Sequence, residues 1–292
     1  MFQKIAGYVL LIAGISFGIL VLIKAYRMRE TVRGESGNVK LIAPIEILIY
    51  FLATLGLSDY LLHTLEIRGM KLADSRKIPG TLVAAAVTPG AVMAFSMLRS
   101  DRPAGIITII TCALSMIVGT MTGGFIVGRM DGRKIRTFMG FALIGSLAAL
   151  IIKMIVQKDA SGTMMELTGI RLLIAILFSF IWGNMSMLGI PMKPAGTAVF
   201  LLLGLSPVAT LTMTLVMGCA GPMGGAPVVY KRGDYHQKLT VCAVTFGSAG
   251  AVFGSAFALS VPAVLLNILM MVMIVIAVIS MLRPDGNREN NS

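Results

Sequence analysis

Long apolar segments follow one another along this chain, and charge is confined to the short pieces between them. As a helix, a segment of about 20 apolar residues crosses the roughly 30 Å hydrocarbon core of a bilayer with its backbone bonds satisfied internally. Water offers no such solution here. Hydrophobic residues make up 57% of the 292 positions, charged residues only 13%, and the mean hydropathy is +0.88. The expectation is an all-α, polytopic membrane helix bundle.

The first apolar stretch runs from about Ala6 to Ile23, preceded by Lys4 and followed by Lys24, Arg27, Arg29, Arg33 and Lys40. No small-residue cleavage site follows it, so it reads as an uncleaved helix with a cytoplasmic basic stop behind it. Further segments cover 41–58, 78–98, 105–128, 137–156, 170–190, 197–217, 239–258 and 264–282, which makes eight or nine transmembrane candidates. Two are interrupted, by Thr88-Pro89-Gly90 and by Gly204-Leu205-Ser206-Pro207. Proline removes a backbone donor and glycine loosens a helix, so both places are expected to unwind or form half-helices.

These interruptions belong to a duplicated pattern. Met97 to Asp101 parallels Val229 to Asp234, and Gly119-Thr120 parallels Gly247-Ser248, in the same order along the chain. Two tandem repeats with broken or re-entrant helices follow from this. The division is residues 1–40 as a first helix and basic loop, 41–157 as the first repeat, and 158–292 as the second repeat with a polar tail. Gly119, Gly123, Gly124 and Gly128, echoed by Gly250 and Gly254, carry the spacing of close helix packing, expected inside each half.

The net charge of +12 fits basic cytoplasmic loops, and no basic stretch carries the interleaved aromatics of a nucleic-acid binder. The basic pieces after the first helix, at 129–136, at 231–238 and at Arg283 cannot all face the cytoplasm if every segment crosses, so orientation stays open. Cys112, Cys219 and Cys242 stand singly, without metal-ligand or redox spacing. Phosphate loops, zinc-protease helices and nucleophile elbows are absent. The expectation is therefore a protein that is not an enzyme and carries no cofactor or metal.

In the second half, a helix ends in a Gly/Pro break, then come an apolar Gly-Leu-x-Pro-x-Ala-Thr stretch (204–210), a basic-Gly-Asp turn at 231–234 and glycines at 247, 250 and 254. This string resembles the sulfite exporter TauE/SafE family of membrane transporters, over roughly residues 41–282. The resemblance implies a substrate pocket where the first helix of each half breaks. Members carry a Gly-rich run there; this chain has Leu55-Gly56-Leu57-Ser58-Asp59 and Leu188-Gly189-Ile190-Pro191 instead, which bears on sulfite more than on transport.

A broken helix presents free N–H groups and the positive end of its dipole, which suits an anion. The candidate substrate contacts are Lys193 beside Pro191, with Ser206 and Thr210 in the second half, and Ser75, Arg76, Lys77 and Thr81 in the first. The rival reading is a basic side chain snorkelling to the interface, and Thr hydroxyls bonded to their own i−4 carbonyls. Asp59, His63 and Glu66 share one helical face and suit a proton relay sooner than a metal ion, against the alternative of an interfacial half-helix with a solvated face. Glu46 is placed at the cytoplasmic interface, and Asn184 and Asn267 bond neighbouring helices.

The chain thus reads as a transporter of a small anion such as sulfite, a sulfonate or a carboxylate. It would act by alternating access in a prokaryotic-type cell membrane, in the direction of export. Its partners are the bilayer and the anionic solute, not nucleic acid, and a homo-oligomer is left open. The alternatives are a non-transporting scaffold subunit, whose Gly and Met serve packing alone, and an intramembrane metalloenzyme.

Overall fold

The computed structural model describes residues 2–99, 104–127 and 162–257, with single residues between 137 and 152 and at 268 and 272. The expected segments 137–156 and 264–282 lie largely outside the described residues, as do Gly128, the 129–136 loop, Lys153, Lys158, Asn267 and Arg283. Regular structure among the described residues is helical, apart from a single bridge between Met164 and Leu205.

The helices are α1 (Phe2–Arg27), α2 (Arg29–Gly34), α3 (Val39–Thr54), α4 (Asp59–Gly69), α5 (Ile78–Leu98) and α6 (Ile106–Val127). They continue with α7 (Gly169–Ser186), α8 (Lys193–Leu202), α9 (Pro207–Arg232) and α10 (Gln237–Ser255), the last containing a π turn over Ala243–Gly247. Six of these, α1, α5, α6, α7, α9 and α10, are long and apolar enough to cross a membrane. The central pair is α5 and α9, with 83% and 78% of their spanning windows buried inside the protein, against 22–50% for the others.

One expected interruption is not there. α5 runs unbroken through Thr88-Pro89-Gly90. A proline inside a helix costs about 3 kcal/mol, but in membrane bundles tight neighbours offset it. Here α1 and α9 pack on this stretch: a side chain at Gly14 would strike Ala91, and Gly90 lies against the backbone of Gly218 and Cys219. Thr88 donates to the carbonyl of Gly14 on α1 at 2.9 Å. The other interruption is real, and Gly204 (φ +96°) separates α8 from α9.

The segments 41–58 and 197–217 are likewise not single crossings. α3 spans about 24 Å and α4 about 16 Å at 1.5 Å per residue, each short of the membrane. The chain reverses between them and returns to the end it started from, where Ser36 donates to the carbonyl of Leu72 at 2.5 Å. α7 and α8 make the same reversal from the other end, where Met164 N–H donates to the Gly204 carbonyl, Ser206 N–H donates to the Met164 carbonyl, and Leu205 meets Met164. The two turns are built alike. Gly56 (φ +107°) and Gly189 (φ +78°) take the left-handed conformation that residues with a Cβ avoid. Leu57 N–H then bonds Leu52 O, and Ile190 N–H bonds Met185 O, the closing bond that ends a helix at such a glycine.

Close glycine contacts fix helix directions. Gly119 and Gly123 of α6 lie against Phe180 and Asn184 of α7, while Gly250 and Gly254 of α10 lie against Ile47 and Phe51 of α3. Both pairs are therefore parallel, and both use glycines four apart, but each joins a helix of residues 41–157 to one of 158–292 rather than two helices inside one half as expected. Gly221 near Met116 and Gly124 near Val228 make α6 parallel to α9. Gly80 near Asp234 and Gly90 near Gly218 make α5 antiparallel to α9. His236 N–H donates to Thr81 Oγ1, and Val244 and Thr88 meet around Gly18, so α10 runs parallel to α5. Hence α3, α5 and α10 point one way, and α6, α7 and α9 the other.

At the turn between α9 and α10, polar groups replace lipid contacts. Glu35 accepts from the N–H groups of Gln237 (3.1 Å) and Lys238 (2.7 Å), and Lys238 Nζ donates to the carbonyls of Arg33, Glu35 and Gly37. His236 caps α10 by accepting from Leu239 N–H at its Nδ1, 3.1 Å away. Burial lowers the His236 pKa from its ordinary 6.5, helped by Lys238 and Lys77 and opposed by Glu35 and the Ser36 backbone. The neutral cap is thus favoured in the fold. Its contribution is complete above pH 6.5 and fades as pH falls from there through the lower folded value, where the folded state takes up the proton.

Two predictions follow from packing and capping. Gly183→Leu, whose side chain would strike the Met116 carbonyl, is expected to destabilise the detergent-solubilised protein by about 1–3 kcal/mol, while Gly34→Ala, in open space, leaves its Tm unchanged. The Tm of wild type is expected to drop below about pH 6.5, and His236→Asn, a cap that does not titrate, to flatten that drop.

Candidate functional site

The two reversals meet. α4 and α8 begin at facing turns, and neither start carries a side-chain cap hydrogen bond. Their first residues line one small pocket between the two reversals. Lys193, in the first turn of α8, is only 5% exposed. Its Nζ lies 2.8 Å from Asp59 Oδ1, in the first turn of α4, and 3.3 Å from the Leu57 carbonyl within the first reversal. Lys193 therefore does not snorkel; it bridges the two turns.

A small cavity sits on this pair, lined by Ser58, Asp59, Tyr60, Ser186 and Lys193, and walled by Met116, Trp182 and Pro222. The space left in it is about that of one water molecule. The Tyr60 hydroxyl, buried at its edge, has no hydrogen-bond partner. A buried donor without a partner costs about 1–3 kcal/mol. Electrostatically the cavity offers two helix N-termini, an ammonium and a phenol, with the Asp59 carboxylate balancing the ammonium.

The remaining candidates scatter. Pro191 lies in the second reversal, next to this site. Ser206 caps α9 by accepting from Ala209 N–H and donates to Met165 Sδ at 3.1 Å, about 18 Å along α9 from Gly218, which contacts Lys193. Thr210, one turn further, is buried with its hydroxyl unpartnered. Thr212 and Thr214 bond the carbonyls of Val208 and Leu211 in their own helix, as the helix-bonding alternative expects. Ser75, Arg76, Lys77 and Thr81 gather where α5 begins. Arg76 and Lys77 are exposed there, and Thr81 donates to Lys77 O while accepting from His236 N–H. The structure does not bring them to Lys193.

The Asp59, His63, Glu66 face is divided between two tasks. Asp59 turns to Lys193, while His63 and Glu66 turn to α3. Glu46 is the residue that sequence position left out of the site: it is 0% exposed, and its Oε2 lies 3.0 Å from His63 Nε2. Only the fold reveals it, because α4 doubles back along α3. Asn184 bonds across helices as expected, its Oδ1 accepting from Thr122 Oγ1 at 3.1 Å.

No protein-family model, curated protein or solved structure matches this chain.

Removing one partner of a buried ion pair strands the other charge, which costs about 3–5 kcal/mol. Asp59→Ala and Lys193→Met are each expected to lower stability on that scale, and the double variant to lose clearly less than the sum, measured by thermal unfolding as a double-mutant cycle.

Proposed function

We propose that this chain is a membrane transporter for a small anion, which it holds between the starts of α4 and α8 against Lys193. The observation that carries this reading is the buried Lys193–Asp59 bridge between two uncapped helix starts, beside an unpartnered Tyr60 hydroxyl. An anion entering there would compete with Asp59 for the ammonium and satisfy Tyr60. The cavity holds about one water, so the conformation described is a closed one.

Alternating access needs two halves that can exchange roles, and the helix directions support a pair of inverted repeats. In chain order, α3, α5 and α6 run forward, forward and back, while α7, α9 and α10 run back, back and forward. The last helix of each half packs its glycines on the first helix of the other. This arrangement, with the motifs at 204–210 and 231–234, supports membership of the TauE/SafE-like transporters, with re-entrant pairs at 55–58 and 187–192 in place of those expected within α5 and at 204–207.

Orientation also follows. Among the described residues, Lys24, Arg27, Arg33, Lys40, Arg76, Lys77, Lys231, Arg232 and Lys238 lie at the end where α3, α5 and α10 begin, against Lys4, Arg99 and Arg171 at the other. By the Lys/Arg bias of cytoplasmic loops, the basic end faces the cytoplasm of a prokaryotic-type cell. A negative interior then drives a monovalent anion outward by roughly 2.3 kcal/mol at 100 mV, so export needs no coupling ion.

In proteoliposomes, flux of sulfite, thiosulfate, a sulfonate or a small carboxylate is expected to rise with an imposed potential. Lys193→Ala should abolish it, and Asp59→Asn should tighten anion binding by freeing the ammonium. Absence of flux for every anion tried, with an unchanged Tm in their presence, would instead favour a scaffold.

A further inference from the structure

The reversal between α3 and α4 brings together a second set of groups that the anion site does not use. Glu46 of α3 and His63 and Glu66 of α4 each offer a ligand atom, and these atoms lie within 4.8 Å of one another. All three side chains are buried, Glu46 at 0%, His63 at 1% and Glu66 at 7% exposure.

Hydrogen bonding at His63 shows what is missing. Its Nδ1 lies 2.9 Å from the carbonyl oxygen of Asp59. A carbonyl only accepts, so Nδ1 carries the proton. In the neutral ring Nε2 is then a bare lone pair, and it faces the Glu46 carboxylate at 3.0 Å. Two bare acceptors do not approach that closely, so either a proton or a bound cation lies between them. Nor do the other oxygens meet donors: Glu46 Oε1, Glu66 Oε1 and Glu66 Oε2 are all buried without a partner. A further, separate group points the same way. Tyr50, fully buried, sets its ring 5.3 Å from that of His63, interacts electrostatically with Asp59, Glu46 and Glu66, and leaves its hydroxyl unpartnered.

We propose that Glu46, His63 and Glu66 bind a divalent transition-metal cation of the Zn²⁺ type. Two carboxylates and a neutral imidazole supply two negative charges, which one such ion neutralises where lipid and protein exclude water. The imidazole selects against Mg²⁺ and Ca²⁺, which prefer oxygen alone. The Asp59 carbonyl on Nδ1 is the partner that orients a metal-binding histidine, and Tyr50 is placed to support a carboxylate or a fourth ligand. The ion would clamp α4 to α3 across the first reversal. Because the same Asp59 that orients His63 also pairs with Lys193, the clamp would hold the start of α4 in register with α8. This site goes beyond the anion-transport reading and does not require it.

The test uses the full chain in detergent, stripped with a chelator and titrated with Co²⁺ as a visible probe. A single Co²⁺ per chain with ligand-field absorption is expected, displaced by Zn²⁺, together with a rise in wild-type Tm on adding Zn²⁺ but not Mg²⁺. Glu66→Gln and His63→Gln should each weaken binding by more than about tenfold, and Tyr50→Phe by about tenfold, while Glu166→Gln leaves it unchanged. Folded wild type that shows neither Co²⁺ absorption nor a Zn²⁺-dependent Tm overturns the proposal, since a proton then fills the gap. Binding that survives both Glu66→Gln and His63→Gln overturns it as well.

Discussion

The ion pair between Lys193 and Asp59 joins the two places where the chain turns back inside the bundle. A buried charge without a counter-charge is too costly to persist, so each reversal requires the other. The first delivers a carboxylate at the start of α4 and the second an ammonium at the start of α8. Around them the long helices act as a frame: α5 and α9 fill the centre, α10 supports α3, and α6 supports α7. The glycines of that frame are where backbones touch, and the pair at the centre is why they have to.

Both reversals solve the same backbone problem. A helix that stops short of the far interface leaves carbonyl groups at one end and N–H groups at the next start, with no water to receive them. The left-handed glycine and its closing bond satisfy the carbonyl side at Gly56 and Gly189. The N–H side is left to face its counterpart across the cavity. What results is a polar point between the two reversals, lined by the starts of both short helices.

Polar chemistry is concentrated on α4. One turn of it meets Lys193, and the next two meet Glu46 on α3, so the short helix joins a cationic site to an anionic one. The His63–Asp59 hydrogen bond is the shared piece. An ion or proton on Glu46 and Glu66 and an anion on Lys193 would therefore feel each other through a few atoms of a single helical turn.

Much of this was legible in the linear chain. Segment hydropathy demanded lipid, glycines at intervals of four announced close helix contacts though not which helices they join, and Lys193 stood out as a cation beside a Pro-marked break. Those properties are local, since a residue's transfer energy and a glycine's missing Cβ do not depend on what lies elsewhere. Tertiary structure alone decided which interruptions break: Pro89 is carried through by α1 and α9, whereas Gly56 turns the chain without any proline. It also decided that Glu46 is buried, that Thr81 belongs to the α10 turn, and that most cations among the described residues collect at one end. Each of those depends on the chain folding back on itself, and a reversal inside a bilayer is decided by partner helices many residues away.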